Sequence, residues 1–362
     1  MAHPTAGRIS KLRAILRENG WNALLVSHLP NLLYLTGFSG SSGLAVVSEH
    51  STTLFTDSRY TAQARQQASG CRVRIASGSL LDAVSSHLQA RRGMRVAFES
   101  NRLTVAQKNH LARRTGRKAV RRWIAASNPV ESLRAVKDAS EIAAMKAAAR
   151  LGCRVLADVL PLIRPGIREV ELAAEIEYRM RRAGAAGPAF DTIVASGPRS
   201  ALPHARPTPR RLRRKELVVL DLGVILGDYC SDLTRTVHLG KPSRRFAQWH
   251  RAVLEAHEAA AAALRPGVTG AQVDQAARDV LGKYGLEGLF IHSCGHGLGL
   301  EVHEEPRLAR ISEAPLQAGN VVTIEPGVYV EGIGGIRIED DYVITGRGAE
   351  RLTRTCAHLF QL

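Results

Sequence analysis

The sequence predicts an α/β domain over residues 1–130 followed by a larger α+β domain over 131–362 that contains an internal pseudo-twofold repeat. Three observations predict it. Helical and strand-like stretches alternate through the first domain. The segment 125–129 ends on Asn128-Pro129, a pair that breaks regular structure. Beyond it, Arg164-Pro165-Gly166-Ile167 and Arg265-Pro266-Gly267-Val268 each open a helical stretch, one closing at Gly184 and the other at Gly285. Both landmarks therefore recur at an offset of 101 residues.

In the first domain Ile9, Leu12, Ile15 and Leu16 stand at helical spacing and predict an amphipathic helix over 8–19. A strand at 23–27 follows, and the glycine-rich GFSGSSG of 37–43 separates it from strands at 44–48 and 52–56. A helix near 60–68 and strands at 73–76 and 95–98 complete the pattern. After the boundary, Asp138 or Ser140 as N-cap and Glu141 in the first turn mark a long helix. Its apolar stripe is Ile142, Met145, Ala149, Leu156 and Leu160. Each copy of the repeat is preceded by an Ala-rich helix and followed by strands, so a site is expected between the two copies.

Bulk properties narrow the function classes. With 362 residues and 45% apolar content, the chain can bury two cores. It has no run of 18 apolar residues, so no membrane span is expected. The N-terminal segment lacks an apolar stretch followed by a small-residue cleavage site. Cys71, Cys153, Cys230, Cys294 and Cys356 are scattered without a CxxC spacing, which reads as reduced thiols in a cytoplasmic protein. The net charge of +17 includes Arg91-Arg92, Arg113-Arg114, Arg121-Arg122 and the run 210–215, and could serve nucleic acid. Aromatics are only 5%, however, and the charge is spread over both halves, so a solvated Arg-rich surface is the reading adopted.

The chemistry lies in the last third. The segment LVVLD (217–221) is an apolar strand ending on Asp221, and YCSDLTRTV (229–237) alternates so that Asp232, Thr234 and Thr236 share a face. A turn centred on Leu226-Gly227 would set Asp221 opposite Asp232, an arrangement of like charges that a cation between them relieves. His292, His296 and His303 follow among glycines in FIHSCGHGLGLEVHEEP. Then VVTIE ends on Glu325, and IRIEDDYVI (336–344) reads as one strand with Arg337, Glu339 and Asp341 on one face. Glycines 332, 334 and 335 predict a hairpin between them. Buried carboxylates need partners. Asp221, Asp232, Glu325 and Glu339 carry four negative charges, which two divalent cations would neutralise. Oxygen-rich ligation with one imidazole suits manganese, cobalt or zinc, and two such ions can activate water for hydrolysis.

These residues resemble the pita-bread metallopeptidases, the group that contains methionine aminopeptidase, aminopeptidase P and prolidase. The order Asp…Asp…His…Glu…Glu, with 11 residues from Asp221 to Asp232, and the blocks GHGLGLEVHEEP, TIEPGVY and GIRIEDD carry the resemblance. YLTGFSGSSG and TDSRYTAQA in the first domain resemble the creatinase-like domain of the Xaa-Pro branch. The resemblance implies a creatinase-like N-terminal domain on a pita-bread catalytic domain. It implies Asp221, Asp232, His296, Glu325 and Glu339 as ligands of two ions, expected to be manganese, with Asp232 and Glu339 bridging both. His303 and His204 would face the substrate, Glu325 would shuttle a proton, and His292 and Arg337 would be further substrate-binding residues. The expected substrates are proline-containing peptides, and the expected assembly is a homodimer. An Xaa-Pro bond is a tertiary amide with a fixed ring geometry, for which a dedicated site is plausible. Aminopeptidase P, releasing the first residue, is the expected activity. Prolidase, cleaving only dipeptides, is the alternative, with Arg307 as a holder of the dipeptide carboxylate.

Overall fold

The computed structural model describes residues 5–354 and 361–362, and Cys356 lies outside them. The chain divides into two compact units, Met1–Arg134 and Ala135–Leu362. In the first unit the strands are β1 (Ala23–Val26), β2 (Leu44–Ser48), β3 (Thr52–Asp57), β4 (Arg72–Ala76), β5 (Met94–Glu99) and β6 (Val120–Ala126). They form one sheet in the order β4-β3-β2-β1-β5-β6. β1, β2 and β3 pair antiparallel, while β4, β5 and β6 join in parallel. Every residue of β1 is buried, as expected of a central strand.

Five helices accompany this sheet: α1 (Thr5–Glu18), α2 (Leu29–Thr36), α3 (Thr61–Gln67), α4 (Leu80–Gln89) and α5 (Val105–Ala119). The predicted elements are all present, but α2, α4, α5 and β6 were not expected. α2 is short, opens at a proline and buries five of its eight residues, so no polar–apolar stripe betrays it. Its N-terminus is held instead by Glu99 Oε2, which accepts from the amides of Ser27 (2.7 Å) and His28 (2.8 Å).

A short helix, α6 (Glu131–Ala135), leads to the second unit, where the repeat becomes architecture. Its first half holds α7 (Ala139–Val159), α8 (Glu169–Arg182), β7 (Gly187–Pro188), β8 (Ile193–Ser196), β9 (Leu217–Leu222), β10 (Val224–Leu226), β11 (Tyr229–Cys230) and β12 (Leu233–His238). The second half holds α9 (Arg244–Ala263), α10 (Gly270–Lys283), β13 (Gly295–Gly297), β14 (Glu304–Leu308), β15 (Val321–Ile324), β16 (Gly327–Val330), β17 (Gly334–Arg337), β18 (Asp340–Thr345) and β19 (Gly348–Arg351). Strand order β12-β9-β8 in one half matches β18-β15-β13 in the other. Asp138 caps α7 by accepting from the amides of Ser140 and Glu141, as the sequence predicts. The two loops before α8 and α10 are built alike. Gly166 and Gly267 both have positive φ, and their amides bond the carbonyls of Leu212 (2.8 Å) and Leu316 (2.9 Å). Each half packs its helix pair on its strands. Leu151, Val155, Leu172 and Ile176 meet Leu220 and Leu222 in one half, and Val253, Ala256, Val273 and Ala277 meet Val322 and Ile324 in the other.

Two expectations need correction. The turn between β10 and β11 is centred on Gly227-Asp228, not on Leu226-Gly227, because Leu226 pairs with Tyr229 and Ile225 with Cys230. Both turn residues have positive φ (57° and 70°), the signature of the two-residue hairpin turn that matches strand twist. The shift places Thr234, not Asp232, opposite Asp221, so the two aspartates are diagonal neighbours across the ladder. Secondly, 336–344 is not one strand. β17 pairs with β16 and β18 with β15, and the chain breaks between sheets at Ile338-Glu339. The register implies a test: Gly227→Val puts a β-branched residue where φ is positive. It should cost about 1–2 kcal/mol in a denaturant titration, whereas unchanged stability would mean that the turn is not strained by a side chain.

Candidate metal centre

The candidate residues come from equivalent places in the two halves. Asp221 lies on β9 and Glu325 directly after the matching β15, 104 residues later. Asp232 and Glu339 each occupy a strand break, before β12 and before β18, 107 residues apart. His296 is the middle residue of β13, with no counterpart histidine on β8. Its flanking glycines are required by close packing. A Cβ on Gly295 would meet the Thr323 carbonyl oxygen at 2.0 Å, and one on Gly297 would meet that of Glu305 at 2.3 Å.

Ligand-type atoms of Asp232, His296 and Glu339 all lie within 4.8 Å of one another. His296 Nε2 is 3.8 Å from Asp232 Oδ2 and 3.6 Å from Glu325 Oε1. Its Nδ1 sits 3.0 Å from the Gly297 carbonyl oxygen, which calls for a proton there and leaves a lone pair on Nε2 facing the carboxylates. Burial, with the positive charge of His303 second, pushes the His296 pKa down to about 4, so the imidazole is neutral near pH 7. Thr234 Oγ donates to Glu339 Oε2 at 2.6 Å, and Arg337 pairs with Asp221. The buried oxygens Asp221 Oδ1 and Asp232 Oδ1 have no hydrogen-bond partner among the described residues. An orphaned, buried carboxylate oxygen is costly unless a cation meets it.

The electrostatics state the same demand. Burial first, then the charges of Glu339, Asp221, Asp341 and Glu325, push the Asp232 pKa well above its ordinary value. Glu339 is pushed up by burial, Glu325 and Asp221, against a smaller pull from Arg337. Glu325 rises to about 7, mainly through burial. Arg337 faces Asp221, Glu325 and Glu339, and its single charge cannot balance four carboxylates. The donor set, oxygen-rich with one neutral imidazole, fits divalent metal ions.

Behind the centre a second layer fixes its backbone. Asp341 Oδ2 accepts from the Asp232 amide at 3.0 Å. Arg235 donates to the Glu339 carbonyl at 2.7 Å and to Asp340 Oδ1 at 2.9 Å, and His257 Nε2 lies 3.2 Å from Asp340 Oδ2. Tyr329, which the sequence reading did not single out beyond its block, links the two remaining candidates. Its hydroxyl is 2.9 Å from both His292 Nε2 and Arg337 Nη1. Arg337 also reaches the Pro203 carbonyl, next to His204. His303 packs edge-on to His296 with ring centroids 4.3 Å apart. His204 and His303 are both exposed, and the charge of His204 helps depress the pKa of both His292 and His303. These two histidines are themselves 99 residues apart, in the loops that follow the matching strands β8 and β13.

Known proteins agree with this architecture. The profile of metallopeptidase family M24 matches residues 143–346, and that of the Creatinase/Prolidase N-terminal domain matches residues 8–136. The chain belongs to metallopeptidase family M24 and carries that N-terminal domain, as the resemblance implied. Among particular proteins, it is 34% identical to the Xaa-Pro dipeptidase of Pyrococcus horikoshii over 96% of this chain and 97% of that one. The solved structure of an Xaa-Pro dipeptidase from Bacillus anthracis has a TM-score of 0.93 at 36% identity, covering 99% of this chain and 100% of that one. An X-Pro aminopeptidase from Thermotoga maritima has a TM-score of 0.87 at 38% identity, covering 95% and 98%.

The raised carboxylates set a pH-dependent prediction. An acid whose folded pKa is raised keeps a proton that the unfolded chain has released. That contribution to metal-free stability is full below the ordinary value of 4.5 and lost as pH rises through about 7. Divalent ions remove the repulsion, so the rise in Tm on adding Mn²⁺ should be larger at about pH 7.5 than at about pH 5 in a thermal melt. A shift of equal size at both values contradicts this assignment.

Proposed function

We propose that the chain is a dinuclear-metal exopeptidase that hydrolyses Xaa-Pro bonds, with manganese as the metal and cobalt or zinc as alternatives. The observation that carries the reading is the convergence of Asp232, His296, Glu339 and Glu325 around buried carboxylate oxygens that lack hydrogen-bond partners among the described residues. In this reading Asp221, Asp232, His296, Glu325 and Glu339 hold the two ions. When bound, the ions supply Lewis-acid activation of the scissile carbonyl and of the attacking water. Glu325 takes the proton of that water and passes it to the proline nitrogen as it leaves. His303 and His204 receive the substrate carbonyl side, and Arg337, tied to Asp221, Tyr329 and the Pro203 carbonyl, keeps one wall of the site rigid. His292, bonded to the Tyr329 hydroxyl, continues that wall.

The expected aminopeptidase P activity gives way to dipeptide cleavage as the leading form. Arg307 is exposed four residues after His303, and its charge helps depress the pKa of both His296 and His303. A guanidinium at that place suits the free carboxylate of a dipeptide. The names of the Pyrococcus and Bacillus relatives support this form, and the Thermotoga relative supports the aminopeptidase. No disulfide joins the four described cysteines, which suits a cytoplasmic setting, and no described helix is long and apolar enough to cross a membrane. A homodimer is the assembly this reading carries.

Three variants and two substrates test it. With Mn²⁺ present, the parent should turn over Ala-Pro faster than Ala-Pro-Ala, and the reverse order would restore the aminopeptidase reading. Glu325→Gln should lower kcat by about a hundredfold or more while the protein stays folded. His303→Ala should also lose orders of magnitude in turnover. Arg307→Ala should raise KM for Ala-Pro by about tenfold and leave Ala-Pro-Ala little changed. Normal Ala-Pro kinetics in Arg307→Ala would remove the carboxylate-holding role.

A further inference from the structure

The two loops that carry His204 and His303 are held by different means. After β13, the chain returns directly as β14, and pairing of Gly295 with Leu308 and Gly297 with Glu304 brackets His303. After β8, no named strand occurs until β9, so the 197–216 segment carrying His204 has no comparable ladder. A buried carboxylate stands in for it. Glu169, the first residue of α8, is 0% exposed. Its Oε1 accepts from the Ser196 amide (2.8 Å) and Ser196 Oγ (2.7 Å) at the start of the segment. Its Oε2 accepts from Arg199 Nε (3.1 Å), the Thr208 amide (3.0 Å) and Thr208 Oγ (2.6 Å), four residues beyond His204. Burial alone would raise the Glu169 pKa, but these donors more than offset it and hold the carboxylate ionised.

We propose that Glu169 is a positioning residue that latches both ends of the His204 loop and so aims His204 at the substrate, an inference that rests on His204 facing the substrate. The matching position in the other half explains why the device occurs once. Gly270, 101 residues on, lies so close to the Arg307 carbonyl oxygen that a Cβ would come within 2.2 Å of it. There the backbone of the loop packs directly on the helix start, and the Ala271 amide bonds the Ser312 carbonyl. In the first half the Val170 amide likewise bonds the Thr208 carbonyl (3.2 Å) and the Glu169 amide the Arg210 carbonyl (3.0 Å), and the Glu169 carboxylate adds its hold on Ser196, Arg199 and Thr208. The latch also reaches the centre. Ser200 Oγ accepts from the Gly335 amide at 2.9 Å, and the Pro203 carbonyl accepts from Arg337, so the loop that carries His204 abuts the wall of the site.

The test is a double-mutant cycle in the full-length, Mn²⁺-loaded enzyme with Ala-Pro as substrate. Glu169→Gln preserves volume but turns an amide NH₂ toward donors. It should lower kcat/KM by about tenfold, with metal content unchanged. Thr208→Val, which removes one of the five donors to Glu169 together with the acceptor of the Arg210 amide, should shift kcat/KM in the same direction by less. The Glu169→Gln/His204→Ala double variant should match His204→Ala alone, because the latch has nothing left to aim. Losses that multiply in the double variant, or parent-like kinetics in Glu169→Gln beside a damaged His204→Ala, overturn the latch. A neutral His204→Ala overturns the substrate-facing reading of His204 and the latch with it, and absence of any Ala-Pro turnover by the parent overturns the function itself.

Discussion

Four carboxylates brought together with their charges turned inward are the constraint on which the catalytic unit depends. Asp232 and Glu339 are almost fully buried, and the charge of Glu339 raises the pKa of Asp232. Left alone, such groups would either take up protons or push the strand breaks apart. The surrounding structure opposes that separation. Asp341 grips the Asp232 amide, Arg235 grips the Glu339 carbonyl, and Thr234 grips the Glu339 carboxylate. Side chains fully inside the protein thus spend their polar atoms on holding acids close. Such an arrangement is stable only where positive charge completes it.

The pseudo-twofold explains how a chain assembles such a centre from two modest pieces. Each half contributes one acid from a strand end and one from a strand break, and each sends a loop histidine toward the same space. The halves then diverge where chemistry requires asymmetry. β13 carries a candidate ligand histidine and β8 does not, and of the four acids only Glu325 lies within 4.0 Å of two imidazoles among the described residues, His292 and His296. The loop supports diverge as well, by strand pairing in one half and by a buried glutamate in the other.

Much of this was readable before any coordinates. Period-two alternation exposed Asp232 and Thr234 on one face, and an apolar strand ending on an acid exposed Asp221 and Glu325. The 101-residue offset revealed the repeat. What alternation could not reveal was where strands break, because Ile338 and Glu339 continue the pattern of 336–344 while the backbone passes from one sheet to another. The hairpin register was misplaced for a related reason. Two positive-φ residues, Gly227 and Asp228, set the turn, and the equal spacing of Asp221 and Asp232 about Leu226-Gly227 does not reveal it. α2 escaped because a helix buried on most sides shows no stripe. Tyr329 and Glu169 escaped because their roles rest on partners 37 and 27 residues away in sequence, His292 and Ser196.

On the proposed reading the opposed carboxylates form a site for two divalent ions. Equilibrium dialysis or calorimetric titration of the metal-free chain with Mn²⁺ tests it most directly. The account predicts two ions per chain, with Glu339→Ala losing both tight sites because its carboxylate would bridge them. Fewer than one ion per chain, or a Glu339→Ala variant that binds as the parent does, would contradict it.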